Sequence, residues 1–134
     1  MQPHPTLANK PPMLEGLLYD FWWDVAKLHA LDLPVRTIAI ADLLWHLDLP
    51  YWKHNGRPFQ ITPRQVWQSP ASYSEQYART QAADTSYPII IREDGDRLLI
   101  VDGVHRLLKM VMAGTPTIQA ALFRDEFIPL ILHN

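Results

Sequence analysis

Two basic side chains stand at the start of a predicted helix, directly after a glycine. Residues 100–109 run from an apolar strand through Gly103 into a helix, with His105 and Arg106 opposite its apolar positions. A cation in a first helical turn is locally unfavourable by about 0.3–1 kcal/mol, whereas an anion bound by the free N–H groups would reverse that cost. The segment therefore favours a phosphate site at Gly103, Val104, His105 and Arg106, with an ordinary exposed helix start as the alternative.

Three further charged residues are candidates for the same site. Asp102 is suited to orient Arg106, to hold Mg²⁺ through water or to act as a base, although an Asp in this position more often caps a helix. Asp84 lies just before a predicted strand and is a candidate metal ligand or catalytic residue, or a simply solvated carboxylate. Lys53 lies in a long basic loop, where it is either part of a lid over phosphates or a plain surface residue.

The turn and its flanking elements resemble the ParB/sulfiredoxin-like superfamily. The resemblance lies in residues 88–90 (Pro-Ile-Ile), a hairpin, residues 102–107 (Asp-Gly-Val-His-Arg-Leu) and a helix that ends in glycine, and it covers roughly residues 35–123. It implies an α/β (α+β) fold: a small mixed sheet with surrounding helices, here with an extra N-terminal helix. In that superfamily the G-x-[HR]-R turn binds nucleotide phosphates, and the resemblance implies this role for Gly103, His105 and Arg106.

Departures from the superfamily narrow the expected function. Val104 stands where sulfiredoxins carry their cysteine, which argues against cysteine-based sulfinic acid reduction. ParB proteins carry a helix-turn-helix domain after the resembling region, and residues 124–134 are too few to hold one, so partition-type DNA binding is not expected. We therefore expect a nucleotide-binding protein, and specifically a nucleotide-dependent phosphotransferase or NTP hydrolase with Asp102 or Asp84 in catalysis. The alternatives are a non-catalytic, nucleotide-gated adaptor module and, with less support, a nuclease. ATP, ADP and CTP are not distinguishable as ligands, and Mg²⁺ is a candidate companion ion.

Hydrophobic periodicity and turn residues predict the elements that position these residues. Residues 1–12, rich in proline, are expected to be a flexible tail ahead of a single domain over 13–134. Helices are predicted over 13–30, 41–46, 63–68, 73–83 and 104–113, and strands over 35–40, 59–61, 88–92, 97–101 and 117–123. Capping boxes are predicted at Thr62 and Ser72, and a long loop is predicted over 47–58.

Composition limits the class of protein. The chain has 134 residues, of which 48% are hydrophobic and 19% are charged, and it has no cysteine and a net charge of −2. These values predict a globular, cytoplasmic protein without thiolate chemistry, and they disfavour nucleic acid as a partner because no basic excess is present. No apolar segment is long enough to cross a membrane, so no membrane association is expected. His46 and Asp48 lack a third ligand, so this pair is interpreted as structural and predicts no metal site of its own. A homodimer through the N-terminal helix remains an open alternative.

Overall fold

The chain, described over residues 2–133 by a computed structural model, is a mixed α+β fold. Its strands are β1 (Val35–Ala39), β2 (Trp52–His54), β3 (Arg57–Ile61), β4 (Ile89–Asp94), β5 (Arg97–Asp102) and β6 (Thr117–Leu122). Its α-helices are α1 (Val25–His29), α2 (Pro63–Gln68), α3 (Ser74–Ala82) and α4 (Val104–Met112). The main sheet has the order β1-β6-β4-β5, with β4 and β6 parallel and the other pairs antiparallel, and β2 pairs with β3 in a separate hairpin.

The central strand β4 is apolar on both faces because the sheet is covered on both sides. Ile89 and Ile91 pack into a cluster that includes Leu107 and Leu108 of α4, while Ile90 packs against Phe123 on the opposite face. Alternating side chains of one strand thus serve two cores, as the uninterrupted apolar run predicts. After β5 and α4 the chain continues as β6, which runs parallel to β4. The turn at Gly103 follows the end of β5 and lies beside Ile89 of β4.

The predicted helix over 13–30, and with it the extra N-terminal helix, is wrong. Only a short 3-10 turn at Pro12–Leu14 and the five-residue helix α1 form in this region. The apolar side chains have helical spacing, but they enter different clusters: Leu14 packs with Leu99, and Phe21 packs with Phe123. Gly16, at φ +76°, and the adjoining aromatic residues are poor helix formers, so their preference opposes one continuous helix.

Both chain ends pack near this aromatic segment. Residues Pro5–Asn9 form a 3-10 helix, and the Trp22 N–H donates to the Gln2 carbonyl at 2.5 Å. Trp23 forms an isolated bridge with Leu132, and a second 3-10 helix spans Asp125–Leu130. The backbone groups of this segment are therefore partly satisfied by the two termini rather than by a helix.

The predicted loop over 47–58 is also wrong in its second half. Asn55 and Gly56, at φ +53° and +77°, form the tight turn of the β2–β3 hairpin. Two positive φ values in a two-residue turn match the twist of a hairpin. The predicted helix over 41–46 is present only as the 3-10 helices Ile40–Asp42 and Leu44–Asp48.

The two predicted capping boxes differ in outcome. Thr62 Oγ1 accepts the Gln65 N–H at 3.1 Å, and Gln65 Oε1 accepts the Thr62 N–H at 2.8 Å. The capping box predicted at Ser72 is wrong. The N-cap residue of α3 is Tyr73, and its side chain makes no capping hydrogen bond.

This difference predicts two unequal effects on stability. Replacing Thr62 by alanine removes a cap and is expected to lower the free energy of unfolding by about 1 kcal/mol. Replacing Ser72 by alanine, the matched control, is expected to change it by less than about 0.5 kcal/mol. Urea denaturation of both variants measures the difference, and equal losses would contradict the assignment of caps.

Among residues 2–133, none of the helices has both the length and the apolar composition that a membrane span requires.

Candidate functional site

An open cavity of about 450 Å³ lies at the start of α4. Its charged and polar lining comes from three separate elements: α3 with the turn after it, the end of β5, and the first turn of α4. The lining includes Arg79, Asp84, and all five residues from Asp102 to Arg106. Gly103, Val104, His105, Arg106, Asp102 and Asp84, all singled out from the sequence, are therefore brought together around one cavity.

Gly103 forms a left-handed turn that only glycine fits. Its φ is +114°, and a Cβ added there would lie 2.7 Å from Ile89 Cγ2 and 3.2 Å from the Ile89 Cα. Glycine is thus required at this position because the turn packs closely against Ile89 of β4. A ligand that came close to the turn would be a further reason for glycine.

The first turn of α4 presents backbone N–H groups to the cavity. The Leu107 N–H donates to the Gly103 carbonyl at 2.9 Å, which is the first hydrogen bond of the helix. The N–H groups of Val104, His105 and Arg106 come before this bond in the chain and have no partner within the helix. Gly103 is the N-cap, and within the described residues no side chain caps it. These N–H groups and the helix dipole together favour an anion in the cavity.

Arg106 is held beside the cavity by two contacts. Its Nη1 donates to the Pro88 carbonyl at 3.2 Å and lies 3.8 Å from Asp102 Oδ2. The side chain is 19% exposed, and the residue lines the cavity. The remaining donors suit a phosphate oxygen.

Asp102 does not cap the helix. Its Oδ2 lies 2.7 Å from Nε2 of His29, which comes from α1 far away in the sequence. This contact replaces the expected capping role and ties α1 to the end of β5. The carboxylate retains 29% exposure, so it is also open to a ligand from the cavity side.

His105 is a neutral residue rather than a second cation. Its ring stacks on Trp52 at 4.2 Å, and burial lowers its pKa to about 4, with Arg79 adding to the effect. Gln76 Nε2 donates to the Lys53 carbonyl at 3.2 Å, so Gln76 Oε1 accepts from His105 Nε2–H at 2.8 Å. Nδ1 is then the acceptor of the neutral ring. The sequence predicts a charged His105 that binds phosphate, whereas in the structure the ring is neutral near pH 7.

Arg79 is a cation of the cavity that sequence reasoning missed. It lies on α3, is exposed, and belongs to no ion pair among residues 2–133. Nothing near Arg79 in the sequence resembles a site motif, so only the packing of α3 against α4 reveals it.

Asp84 lines the cavity from the turn after α3. Its Oδ1 accepts the Ser86 N–H at 3.0 Å and the Ser86 hydroxyl at 2.6 Å. These two hydrogen bonds, with smaller contributions from Arg106 and Lys109, lower the pKa of Asp84. The group is therefore a carboxylate near neutral pH, suited to a cation or to a hydroxyl donor rather than to a proton donor.

Lys53 lies outside this group. It is in β2, where Trp52 rather than Lys53 lines the cavity, and its Nζ lies 3.5 Å from Glu75 Oε1. Lys109 is also engaged elsewhere, because its Nζ donates to the carbonyls of Gln81 and Ala83 at the end of α3. The cations that line the cavity are thus Arg79 and Arg106.

The arrangement can bind an anion and orient a polar neighbour. Two arginines and free helix N–H groups face two carboxylates and a neutral imidazole across one cavity. Within residues 2–133 no three His, Asp or Glu side chains converge on a potential metal position. Comparison of the chain with protein-family models, with curated proteins and with solved structures gave no match.

Proposed function

We propose that this chain is a ParB/sulfiredoxin-like protein that binds a nucleotide through its phosphates at the start of α4. The observation that carries the proposal is the convergence of free α4 N–H groups with Arg106 and Arg79 around one open cavity. Its volume of about 450 Å³ falls within the usual range of small-molecule sites. The resemblance of the D-G-x-H-R turn to nucleotide-binding turns supports the same ligand.

Phosphoryl transfer is the reaction that suits these groups. Such reactions depend mainly on position and charge neutralisation, for which the two arginines and the helix N-terminus are suited. Asp84, ionised and lining the cavity, is the first candidate carboxylate to meet a Mg²⁺ ion that arrives on the nucleotide or to accept a proton from an attacking hydroxyl. Asp102 is the second candidate, and its contact with His29 orients it.

A non-catalytic, nucleotide-gated module is the second candidate function. It is favoured by the protein contacts that already occupy Asp102 and His105, because a side chain held by His29 or by Gln76 is less free to take part in proton transfer. Incubation with ATP or CTP and Mg²⁺, followed by phosphate analysis, separates the two functions. Release or transfer of phosphate supports the enzyme, whereas binding without turnover supports the module.

The binding proposal predicts a loss of affinity in two arginine variants. Arg106→Ala and Arg79→Ala each remove a charged donor from the cavity, and each is expected to weaken ATP, ADP or CTP binding at least about tenfold. Arg79→Ala is the cleaner test, because this exposed side chain belongs to no described ion pair and its removal is expected to leave the fold intact. Isothermal titration calorimetry gives the affinities.

Arg64→Ala is the matched control. Arg64 is an arginine of α2, its Nε donates to Asp48 Oδ1 at 2.6 Å, and it does not line the cavity. Its loss is expected to leave the affinity unchanged. Equal affinity in the wild type, Arg79→Ala and Arg106→Ala would rule out the site.

A further inference from the structure

A second cavity, of about 330 Å³, lies between the N-terminal segment and β5. Its walls are mostly apolar and aromatic, and they come from the region whose predicted helix does not form. The aromatic lining residues are Tyr19, Phe21, Trp22, Trp23 and Phe59. An opening of this size with so many rings is a typical binding site for a planar organic group.

The rings of this aromatic cavity are held in place by the protein. Trp22 lies between His133, stacked at 3.8 Å, and His4, edge-on at 5.0 Å. Tyr19 and Phe21 have ring centroids 4.9 Å apart. Rings that are fixed before binding lose little conformational freedom when a ligand enters.

Phe59 adds an independent observation. It has a φ of +57°, in the left-handed region that bulky residues rarely adopt, and it lines the aromatic cavity. Such backbone strain costs of order 1–3 kcal/mol and is found most often where a side chain must be held for a function.

Arg92 supplies the positive charge of the aromatic cavity. Its guanidinium lies 4.6 Å from the centre of the Tyr19 ring, and its Nη2 donates to the Gly16 carbonyl at 3.1 Å. Throughout residues 2–133 it has no carboxylate partner in an ion pair. An arginine at the edge of an apolar cavity favours an anionic ligand, and its planar donors fit a carboxylate best.

We propose that the aromatic cavity binds a small aromatic carboxylate, with its ring system among Tyr19, Trp22 and Phe59 and its carboxylate on Arg92. The site goes beyond the proposed nucleotide function and stands without it. The two cavities share the lining residues Leu18, Ile100 and Val101. A molecule bound in the aromatic cavity would therefore lie beside the cavity at the start of α4, named here the nucleotide corner.

Calorimetry with 2-naphthoate and with neutral 2-naphthalenemethanol on the full chain tests the proposal. We expect 2-naphthoate to bind the wild type more tightly than the alcohol. Arg92→Gln removes the charge but keeps a donor for Gly16, and it is expected to weaken 2-naphthoate about tenfold while leaving the alcohol unchanged. Absence of binding by 2-naphthoate, or equal losses for both probes in Arg92→Gln, would overturn the proposal.

A pair of valine variants tests the location of the site. Val25 lines the aromatic cavity and is 51% exposed, whereas Val35 is 52% exposed and lies outside it. Val25→Trp should fill the cavity entrance and abolish 2-naphthoate binding, and Val35→Trp should leave it unchanged, with thermal unfolding as the check that both fold. Equal binding by the two variants would show that the probe binds elsewhere. Arg79→Ala should bind 2-naphthoate normally, which separates this site from the nucleotide corner.

Discussion

Replacing Gly103 by alanine is expected to lower the free energy of unfolding by about 2–6 kcal/mol. Two effects add: a non-glycine residue at φ +114° costs about 1–3 kcal/mol, and forcing a methyl group into a packed contact costs about 1–3 kcal/mol more. The contact cannot be relieved by a flexible side chain, because the new Cβ also meets the Ile89 backbone Cα at 3.2 Å. Urea denaturation measures the loss.

Gly114→Ala is the matched control for this prediction. Gly114 also has a positive φ, +75°, but a Cβ there would meet nothing within 4 Å. Its replacement should therefore cost only the backbone strain, about 1–2 kcal/mol. If the two variants lost the same stability, the close approach to Ile89 would contribute nothing, and the account of the turn would be wrong.

The structural role of Gly103 determines how the phosphate site has to be tested. A glycine needed for the packing of the turn against β4 gives an unfolding phenotype whether or not a ligand approaches it. Loss of nucleotide binding in Gly103→Ala would consequently say little about the site. Arg79, exposed and without a described ion pair, tests the ligand without disturbing the fold.

The segment from β4 to the end of α4 could be predicted because its signals are local. Residues 94–95 (Asp-Gly) mark the hairpin turn, the apolar spacing after Gly103 marks the buried face of α4, and Gly114 at positive φ follows its end. Each signal depends on neighbours within a few residues. The proposed phosphate residues are contiguous in the sequence, so the turn brings them together without any long-range information.

The N-terminal segment could not be predicted in the same way. Leu14, Phe21 and Leu28 have the spacing of one helical face, yet Leu14 packs in a cluster with Leu99 of β5, whereas Phe21 and Leu28 pack in another cluster near the C-terminus. Periodicity reports that side chains are buried but not against which partner. The β2–β3 hairpin differs, because residues 55–56 (Asn-Gly) were a recognisable signal that the neighbouring prolines obscured.

The residues that contact Asp102 and His105, and the second arginine of the nucleotide corner, are distant from residues 102–106 in the sequence. His29 reaches Asp102, Gln76 reaches His105, and Arg79 enters from α3. No local pattern encodes these contacts, because they follow from how α1 and α3 pack. The charge of His105 could not be predicted for the same reason, because its pKa is lowered by burial and by Arg79 of α3, and the sequence of its own helix shows neither.

Two neutral histidines make the fold sensitive to acid. His46 is buried, donates from Nε2 to the Leu98 carbonyl at 2.9 Å and accepts the Tyr51 hydroxyl at Nδ1. Burial, helped by Arg97, lowers the pKa of His46 to about 4, while the Leu98 carbonyl opposes this effect. Burial lowers the pKa of His105 to about 4 as well. Both residues are therefore held in the neutral form, with one ring nitrogen protonated.

We expect the free energy of unfolding to fall by several kcal/mol between pH 6.5 and pH 4. In this window the unfolded chain takes up protons at His46 and His105, whose unfolded pKa is about 6.5, while the folded protein does not. The stability from each neutral histidine is thus complete above pH 6.5 and is lost as pH falls towards 4. At 1.36 kcal/mol per pKa unit, the loss is about 3 kcal/mol for each residue. Urea denaturation at a series of pH values measures it.

The double variant His46→Gln, His105→Gln assigns this acid sensitivity to its source. Glutamine keeps a hydrogen-bond donor and an acceptor in each position but does not titrate, so the variant should lose stability at pH 7 and much of its dependence on pH. Each single variant should retain about half of the wild-type slope, since the two rings have separate hydrogen-bond partners. A double variant with the full wild-type slope would place the titrating groups elsewhere. The neutral state of His105 would then lose its physical basis.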